Sequence, residues 1–294
     1  MPNLLGLDDC SPELITNLLN RAEELETSPQ PLLAGKTVCS LFVEDSTRTR
    51  LSFEHAVHKL GGNVMTFSTQ GSSMAKGETL YDTVCTIAAM GIDAIVMRHR
   101  ENGMPFNVAE WVDLPVLNGG DGSRAHPTQG LLDLLTIRQH FGRIHGVTVT
   151  IVGDLAHSRV MRSLVAGLPK MGATIRLVAP LSLMPNDVEH MGVEVYTDLD
   201  QALIGTDVVY LLRIQHERMV ERFEHLSAYV DAYGLNSERL HRLPEHVAIM
   251  HPGPINRDVE IESAVVDDPR CLILQQVRNG VAVRMAALDW AINS

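Results

Sequence analysis

Hydroxyl and guanidinium side chains gather where an apolar run ends and a helical pattern begins. The segment runs from Glu44 to Arg50, and its hydroxyls and guanidiniums belong to Ser46, Thr47, Arg48, Thr49 and Arg50. A helix N-terminus presents unpaired N–H groups and the positive end of a dipole, so together with these side chains it suits a phosphate dianion. A serine cap beside two solvated arginines is the simpler alternative. Composition alone leaves the two interpretations about even.

Two further polar residues are candidates for chemistry. Arg98 directly follows the apolar run Ala94 to Met97, a position from which a guanidinium can reach the ligand-binding edge of a parallel sheet. His126 directly precedes a helical pattern at about Pro127 to Phe141. An arginine after a strand is usually only solvated, and one histidine among 13 is ordinarily a surface or core residue. The residues alone leave both interpretations open.

Short apolar runs that alternate with helical patterns must position these residues. The runs are Thr37 to Val43, Val64 to Phe67, Ala94 to Met97, Val147 to Val152, Thr174 to Val178, Val208 to Leu212 and Val247 to Met250. After the first run, Phe53, Ala56, Val57 and Leu60 recur at helical spacing. The alternation predicts an α/β fold in which mainly parallel sheets are flanked by helices.

The length of 294 residues exceeds the size at which one hydrophobic core usually stops growing, so two domains are expected. The helical pattern that ends near Phe141 is followed by Gly142 and a new series of strands and helices. We therefore predict a first domain at residues 1–141 and a second at residues 142–276. A terminal helix within residues 277–294 is expected to return and pack on the first domain.

Composition and charge exclude several classes of protein. Hydrophobic residues make up 45% and charged residues 20%, which is typical of globular proteins rather than disordered ones. No apolar run of about 18 residues and no signal-peptide pattern is present, so we expect no membrane association and a cytoplasmic location. A formal net charge of −12, without blocks of Lys or Arg, disfavours nucleic acid as a partner.

The cysteines indicate neither a metal site nor a disulfide framework, because they are far apart and include no Cys-x-x-Cys pair. They are Cys10, Cys39, Cys85 and Cys271. A dinucleotide site has little support as well. Gly153 ends a predicted strand, but the residues after it do not complete a G-x-G-x-x-G turn.

The segment Ser46 to Arg50 resembles the carbamoyl-phosphate signature that aspartate and ornithine carbamoyltransferases share. Companion segments follow in the order of that family. They are Ser72 to Thr79, which is similar to its mobile loop, His126 to Gln129, which reads HPTQ, and then Gly153 to Val160, Leu212 to Arg218 and His251 to Pro254. The resemblance runs from about Leu33 to the terminal helix, and on it we identify the chain as a member of this family.

The resemblance implies an activity for each domain. The first domain would bind carbamoyl phosphate and the second L-aspartate, and the carbamoyl group would pass to the amino group of aspartate in pyrimidine biosynthesis. It implies no cofactor and no metal, because phosphate is already a competent leaving group. Catalysis would consist of positioning the amine and stabilising an oxyanion.

The resemblance also assigns roles to residues. The catalytic ones would be Arg48, Thr49, Lys76, Arg98 and His126. Those that bind carbamoyl phosphate would be Ser46, Thr47, Arg48, Thr49, Ser72, Lys76, Arg98, His126, Gln129, Gly253 and Pro254. Those that bind aspartate would be Lys76, Arg159, Arg213 and Gln215. Two carboxylates call for two arginines, because the planar guanidinium meets a carboxylate through two parallel hydrogen bonds.

In this family Ser72 and Lys76 would reach into the active site of a neighbouring subunit, so the resemblance implies a homotrimer with shared active sites. It leaves open a regulatory chain or dihydroorotase as a further partner. Three rival functions remain. They are transfer to ornithine or another amine, which Arg213 and Gln215 disfavour, a catalytically silent relative that binds metabolites or supports a larger assembly, and, least supported, a dinucleotide oxidoreductase.

Overall fold

The computed structural model describes residues 2–67, 77–214 and 226–294. The chain divides into two compact units. One unit comprises Met1–Leu135 with Arg278–Ser294, and the other comprises Thr136–Val277. Each is described by itself below.

The first unit is built on a parallel sheet with the strand order β2-β1-β3-β4 in its described part. The strands are β1 (Thr37–Phe42), β2 (Asn63–Phe67), β3 (Ala94–His99) and β4 (Val116–Asp121). The helices along this part of the chain are α1 (Pro12–Thr27), α2 (Thr47–Lys59), α3 (Leu80–Ala89), α4 (Met104–Trp111) and α5 (Pro127–Phe141). The apolar stripe of α2 is buried at Phe53, Ala56 and Val57, which explains why the helix lies on the sheet.

The second unit has a parallel sheet with the order β7-β6-β5-β8-β9 in its described part. The strands are β5 (Thr148–Val152), β6 (Thr174–Val178), β7 (Glu194–Tyr196), β8 (Val208–Leu211) and β9 (Ala248–Met250). The helices that follow β5 are α6 (Arg159–Gly167), α7 (Leu199–Ala202), α8 (Leu226–Tyr233), α9 (Ser237–Arg242), α10 (Ser263–Val266) and α11 (Ile273–Asn293). Val209, Leu211 and Ile249 lie in its buried core.

The last part of α11 belongs to the first unit, which confirms the predicted return of the terminal helix. Arg21 on α1 donates from Nε to Asp289 on α11 at 2.8 Å. The guanidinium carbon of Arg284 lies 5.0 Å from the ring centroid of Phe53 on α2. Neither α11 nor any other helix in the described ranges is both long and apolar enough to cross a membrane.

The α/β class is confirmed, and each of the seven predicted strands is present with ends shifted by one residue or less, apart from the longer end of β3. Sequence reasoning missed β4 and β7. The last four residues of β4 are Asn118, Gly119, Gly120 and Asp121, which are residue types depleted in strands, although every residue of β4 is buried. Strand β7 has only three residues, all exposed or half-buried, so it leaves no apolar run.

Both sheets contain a point where the strand order reverses. Strand β1 lies between β2 and β3, and β5 lies between β6 and β8, so successive connections leave on opposite sides. In open parallel sheets, ligands bind outside the carboxyl ends of the strands at such a point. The carboxyl ends of β1 and β3, and separately those of β5 and β8, are therefore the places to look for sites.

The four cysteines are free thiols. Burial raises the pKa of Cys39 to about 12, and burial is also the main cause that raises the pKa of Cys271. Because the thiolate is the reactive form, both are poor nucleophiles at neutral pH.

Gly153, directly after β5, permits a close approach of backbone that no other residue type allows. Its φ is 136°, and a Cβ built on it would lie 2.7 Å from the carbonyl oxygen of Leu212, which follows β8. Gly205 has a φ of 70°, but a Cβ there would meet no atom within 4 Å. Alanine at Gly153 would therefore suffer both an unfavourable φ and a steric clash, whereas alanine at Gly205 would suffer only the unfavourable φ.

We therefore expect Gly153→Ala to lower the free energy of unfolding by about 3 kcal/mol, and Gly205→Ala by only about 1 kcal/mol. Urea unfolding followed by circular dichroism measures both. Equal losses in the two variants would show that the contact with Leu212 relaxes without cost.

Candidate active site

The junction of β1 and α2 carries the hydroxyl and guanidinium cluster. Ser46 occupies the N-cap position of α2, yet its side chain makes no capping hydrogen bond, so the simpler interpretation of this residue as a side-chain cap is wrong. Thr47 and Arg48 are exposed in the first turn, whereas Thr49 is buried. The turn thus presents hydroxyls, a guanidinium and the positive end of the helix dipole on one short stretch.

Arg98 lies near the end of β3, next to the end of β1. Its Nη2 donates to Glu44 Oε1 at 2.7 Å, and its Nη1 donates to the carbonyl oxygen of Gly119 at 3.1 Å. The residue is 9% exposed, so these two bonds hold the guanidinium in a fixed orientation. Charge-assisted bonds of this length are the stronger ones, and the carboxylate of Glu44 compensates the buried cation. Glu44 is the first residue of the segment that the sequence singled out, but the sequence did not reveal its pairing with Arg98.

His126 precedes α5 and contacts the first turn of α2. Its Nε2 lies 3.4 Å from Thr49 Oγ1, and both side chains are buried. The carbonyl oxygen of His126 accepts from the backbone N–H groups of Gln129 and Gly130, which places the residue at the start of the helix. The contact brings together two segments that the sequence separates by 77 residues.

Gln129 lies in the first turn of α5 and has a fixed partner. Its Nε2 donates to Asp133 Oδ1 at 3.1 Å, and both side chains are buried. Sequence reasoning singled out Gln129 but missed Asp133. The signal was available, because residues four apart on a helix lie on the same face.

The first unit therefore collects most of its predicted site residues around the reversal point between β1 and β3. The described members are Ser46, Thr47, Arg48, Thr49, Arg98, His126 and Gln129. Ser72 and Lys76 lie outside the described residues. The arrangement offers cations and hydroxyls to an anion, with a hydroxyl, an imidazole and a guanidinium to polarise a carbonyl oxygen. Nowhere in the described ranges do three or more His, Cys, Asp or Glu side chains form a group able to hold a metal ion.

The second unit places two arginines at the ends of neighbouring strands. Arg159 begins α6 after β5, and Arg213 follows β8, which pairs directly with β5. Ser158 caps α6 by accepting from the backbone N–H of Met161 at 3.1 Å. The two arginines thus flank the reversal point of this sheet. Gln215 lies outside the described residues.

The turn that follows β9 is held by a buried histidine. His251 Nδ1 accepts from the backbone N–H of Gly253 at 2.8 Å, so Nε2 carries the ring proton and donates to Glu260 Oε1 at 3.2 Å. The same carboxylate oxygen accepts from the backbone N–H of Asn256 at 2.6 Å. These bonds fix the position of Gly253 and of Pro254 after it. Sequence reasoning missed Glu260, because its pairing with His251 spans an irregular loop without periodicity.

A tyrosine beside this network is also buried. Burial, with a smaller contribution from the charge of Glu260, raises the pKa of Tyr229 well above its usual range. The phenol therefore stays protonated at any physiological pH and does not act as a base.

Family models match nearly the whole chain in two parts. Residues 2–139 match the carbamoyl-P binding domain of aspartate/ornithine carbamoyltransferases, and residues 145–291 match their Asp/Orn binding domain.

Individual relatives extend the match. The aspartate carbamoyltransferase catalytic subunit of Halothermothrix orenii is 48% identical over 97% of this chain and 94% of that protein. The crystal structure of Trypanosoma cruzi aspartate transcarbamoylase with carbamoyl phosphate and aspartate has a TM-score of 0.89 at 32% identity, covering 99% of this chain and 95% of that one. Ornithine carbamoyltransferase from Pyrococcus furiosus has a TM-score of 0.90 at 28% identity, covering 99% and 97%. The chain belongs to the aspartate/ornithine carbamoyltransferase family.

Proposed function

We propose that this chain transfers the carbamoyl group of carbamoyl phosphate to the amino group of L-aspartate, giving N-carbamoyl-L-aspartate and phosphate for pyrimidine biosynthesis. The observation that carries the proposal is the buried contact of Thr49 with His126 in the first turn of α2, together with the bond of Arg98 to Glu44 just before that helix. The relative from Halothermothrix orenii carries the name of this activity, and the Trypanosoma cruzi enzyme was crystallised with both of these substrates.

Each domain binds one of the two substrates. We assign carbamoyl phosphate to residues 1–141, with the helix of residues 277–294 packed on that domain, and aspartate to residues 142–276. The two family models, one for a carbamoyl-P domain and one for an Asp/Orn domain, support this division.

Carbamoyl phosphate meets the first turn of α2. The hydroxyls of Ser46 and Thr47, the Arg48 guanidinium and the helix N-terminus bind the phosphate. The carbamoyl oxygen lies against Thr49, Arg98 and His126, and the carbamoyl amide contacts Gln129. The buried contact between Thr49 and His126 supports this assignment, because it places side by side a hydroxyl and an imidazole, two groups that can each donate to a ligand.

The reaction then needs no covalent enzyme intermediate. The aspartate amine attacks the carbonyl carbon, and the resulting oxyanion is stabilised by Thr49, Arg98 and His126. The bond from carbon to the phosphate oxygen breaks, and the departing phosphate accepts the proton of the amine. His126 acts as a neutral hydrogen-bond donor rather than a general base.

Aspartate is recognised by its two carboxylates. Arg159 binds the α-carboxylate, and Arg213 binds the side-chain carboxylate together with Gln215. Lys76 is a further contact for aspartate. The backbone carbonyls of Gly253 and Pro254 orient the amine and contact the carbamoyl group. The hydrogen bond from the backbone N–H of Gly253 to His251 Nδ1 keeps that turn in place. An ornithine side chain would present its ammonium to the Arg213 cation, which disfavours that substrate.

The active site is shared between subunits in this proposal. Ser72 and Lys76 act on the site of a neighbouring subunit, so a homotrimer is the minimal active form. Partnership with a regulatory chain or dihydroorotase stays open, and a cytoplasmic location stays a prediction.

The substrate assignment predicts the outcome of a direct assay. With carbamoyl phosphate, the purified protein should carbamoylate L-aspartate and not L-ornithine. Arg213→Ala should lower kcat/KM for aspartate by at least about 10²-fold, mainly through a higher KM. The reason is the loss of the proposed bidentate ion pair between this guanidinium and the side-chain carboxylate of aspartate. Arg242→Ala is the matched control, since this exposed guanidinium pairs with Asp200 at 3.2 Å on the surface of the same unit.

Three results would contradict this assignment. If the protein carbamoylates ornithine alone, the substrate is ornithine and not aspartate. If Arg213→Ala has normal kinetics, Arg213 does not bind the substrate. If a verified trimer shows no turnover, the protein is a catalytically silent relative.

The role of His126 predicts a loss in kcat rather than in binding. His126→Ala should lower kcat about 10²- to 10³-fold with a small change in KM for aspartate, because one oxyanion donor disappears. His126→Asn, which keeps a donor, should recover part of the loss. His140→Ala, at an exposed position on α5, the helix that follows His126, should leave kcat unchanged. Steady-state kinetics measures kcat and KM for each variant. If His140→Ala lowers kcat as much as His126→Ala does, His126 has only a structural role.

The shared site predicts complementation between two inactive proteins. Trimers carrying His126→Ala and trimers carrying Lys76→Ala should regain activity when their subunits are exchanged, because mixed trimers contain sites without either substitution. Native mass spectrometry verifies the exchange. Proven exchange without recovered activity would refute a site built from two subunits.

A further inference from the structure

Helix α5 carries a buried, hydrogen-bonded pair, Gln129 and Asp133, and the terminal helix α11 carries a buried arginine, Arg284, in the same unit. Gln129 donates from Nε2 to Asp133 Oδ1 at 3.1 Å, and the exposed fractions of the two side chains are 8% and 0%. Asp133 in turn attracts the guanidinium of Arg284. In the proposed function Gln129 contacts the carbamoyl amide, whereas Asp133 and Arg284 have no role.

Arg284 is a cation with little access to solvent. It is 4% exposed, stacks on Phe53, and donates from Nη1 to the carbonyl oxygen of Gly280 at 3.0 Å. Burial is the main cause that lowers its pKa to about 9, while the charge of Asp133 opposes this shift and the charge of Arg98 adds to it. The guanidinium is therefore still protonated at neutral pH. A buried cation of this kind requires an anion nearby, and Asp133 is the acidic residue whose charge opposes the shift.

An ionised carboxylate orients a neighbouring carboxamide without ambiguity. It only accepts hydrogen bonds, so the amide of Gln129 must turn its NH₂ group toward Asp133. In the flipped orientation, two oxygens would face each other at hydrogen-bond distance. The oxygen Oε1 is therefore the atom that Gln129 can offer to a ligand at the start of α5.

We propose that Asp133, kept ionised by Arg284, fixes the Gln129 carboxamide with its oxygen toward the substrate and thereby selects a carbamoyl group over an acetyl group. This inference rests on the function proposed above and names a specificity device within it. Asp133 and Arg284 act through Gln129, so both are positioning residues.

The selectivity follows from hydrogen-bond donors. A carbamoyl group presents N–H donors where an acetyl group of nearly the same shape presents a methyl group. Gln129 Oε1 accepts from the former, whereas the latter leaves this acceptor buried without a partner, which disfavours binding. If the carboxamide is free to flip, its NH₂ group faces the ligand in part of the molecules and the preference declines.

Two stable phosphonates provide a matched pair of probes. Phosphonoacetamide carries the amide, and 2-oxopropylphosphonate replaces its NH₂ group by CH₃ while keeping the carbonyl and phosphonate. Isothermal titration of the trimer should give a Kd at least about tenfold lower for the amide than for the ketone. In Asp133→Asn this ratio should fall below about threefold, because the new amide can pair with either orientation of Gln129.

Two further variants keep the test decisive if the single substitution disturbs folding. Asp133→Asn with Arg284→Met removes both buried charges, which proteins tolerate better than the loss of one partner, and it should lose the preference as well. Asp289→Asn is the matched control, because it removes a carboxylate that pairs with Arg21 at 2.8 Å in the same unit, and it should keep the wild-type ratio.

The ratio of two affinities separates orientation from mere stability, since a loosened fold weakens both probes alike. If the wild type carbamoylates aspartate and prefers the amide, but the folded single and double variants keep that preference, the orienting role of Asp133 is wrong while the function stands. A wild type that binds both probes equally also overturns the inference. If the wild type binds neither probe and transfers no carbamoyl group, the proposed function fails and this inference fails with it.

Discussion

The first unit depends on how one arginine is held at the end of a strand. Arg98 is nearly buried, and its two bonds, to the Glu44 carboxylate and the Gly119 carbonyl, use opposite branches of the guanidinium. A buried charge without a partner costs several kcal/mol, so the acidic residue is as necessary as the cation. Arg284 lies close enough to Arg98 to repel it, and it has its own anion in Asp133. Positive charge is thus concentrated beside α2 only because each buried cation is compensated.

The path of the backbone leaves the carboxyl ends of the central strands open, so that these side chains can be placed there. In each sheet the chain leaves the middle strands in opposite directions, so the loops after β1 and β3, and those after β5 and β8, diverge. The hydroxyl cluster and Arg98 occupy one such place, and Arg159 and Arg213 the other. Gly153 brings the ends of β5 and β8 into contact at a distance that no side chain tolerates. The same topological rule therefore positions the hydroxyl and guanidinium cluster in the first unit and a pair of arginines in the second.

Sequence reasoning succeeded where the physical signal is local. Apolar runs and helical stripes located most strands and the main helices, and the junction before α2 stood out through its side chains. Strand β4 was missed because its glycines and Asn118 favour turns, and only burial between neighbours makes the segment extended. The pairing of Glu44 with Arg98 spans 54 residues, so it depends on strand order, which one sequence does not reveal. Asp133 differs from Glu44, because its helical spacing of four residues from Gln129 was visible in the sequence. Only its hydrogen bond to Gln129 was not predicted.

Glu260 and Asp133 solve the same problem in different units. An imidazole and a carboxamide are each ambiguous, because either can present a donor or an acceptor on a given side. A buried carboxylate that only accepts removes this ambiguity, so His251 must protonate Nε2 and Gln129 must turn its NH₂ group inward. The opposite atom of each group is then an acceptor, Nδ1 for the backbone N–H of Gly253 and Oε1 for a ligand. Such control of proton positions lets neutral groups discriminate between ligands of equal shape and charge, which a site made only of cations and hydroxyls does not achieve.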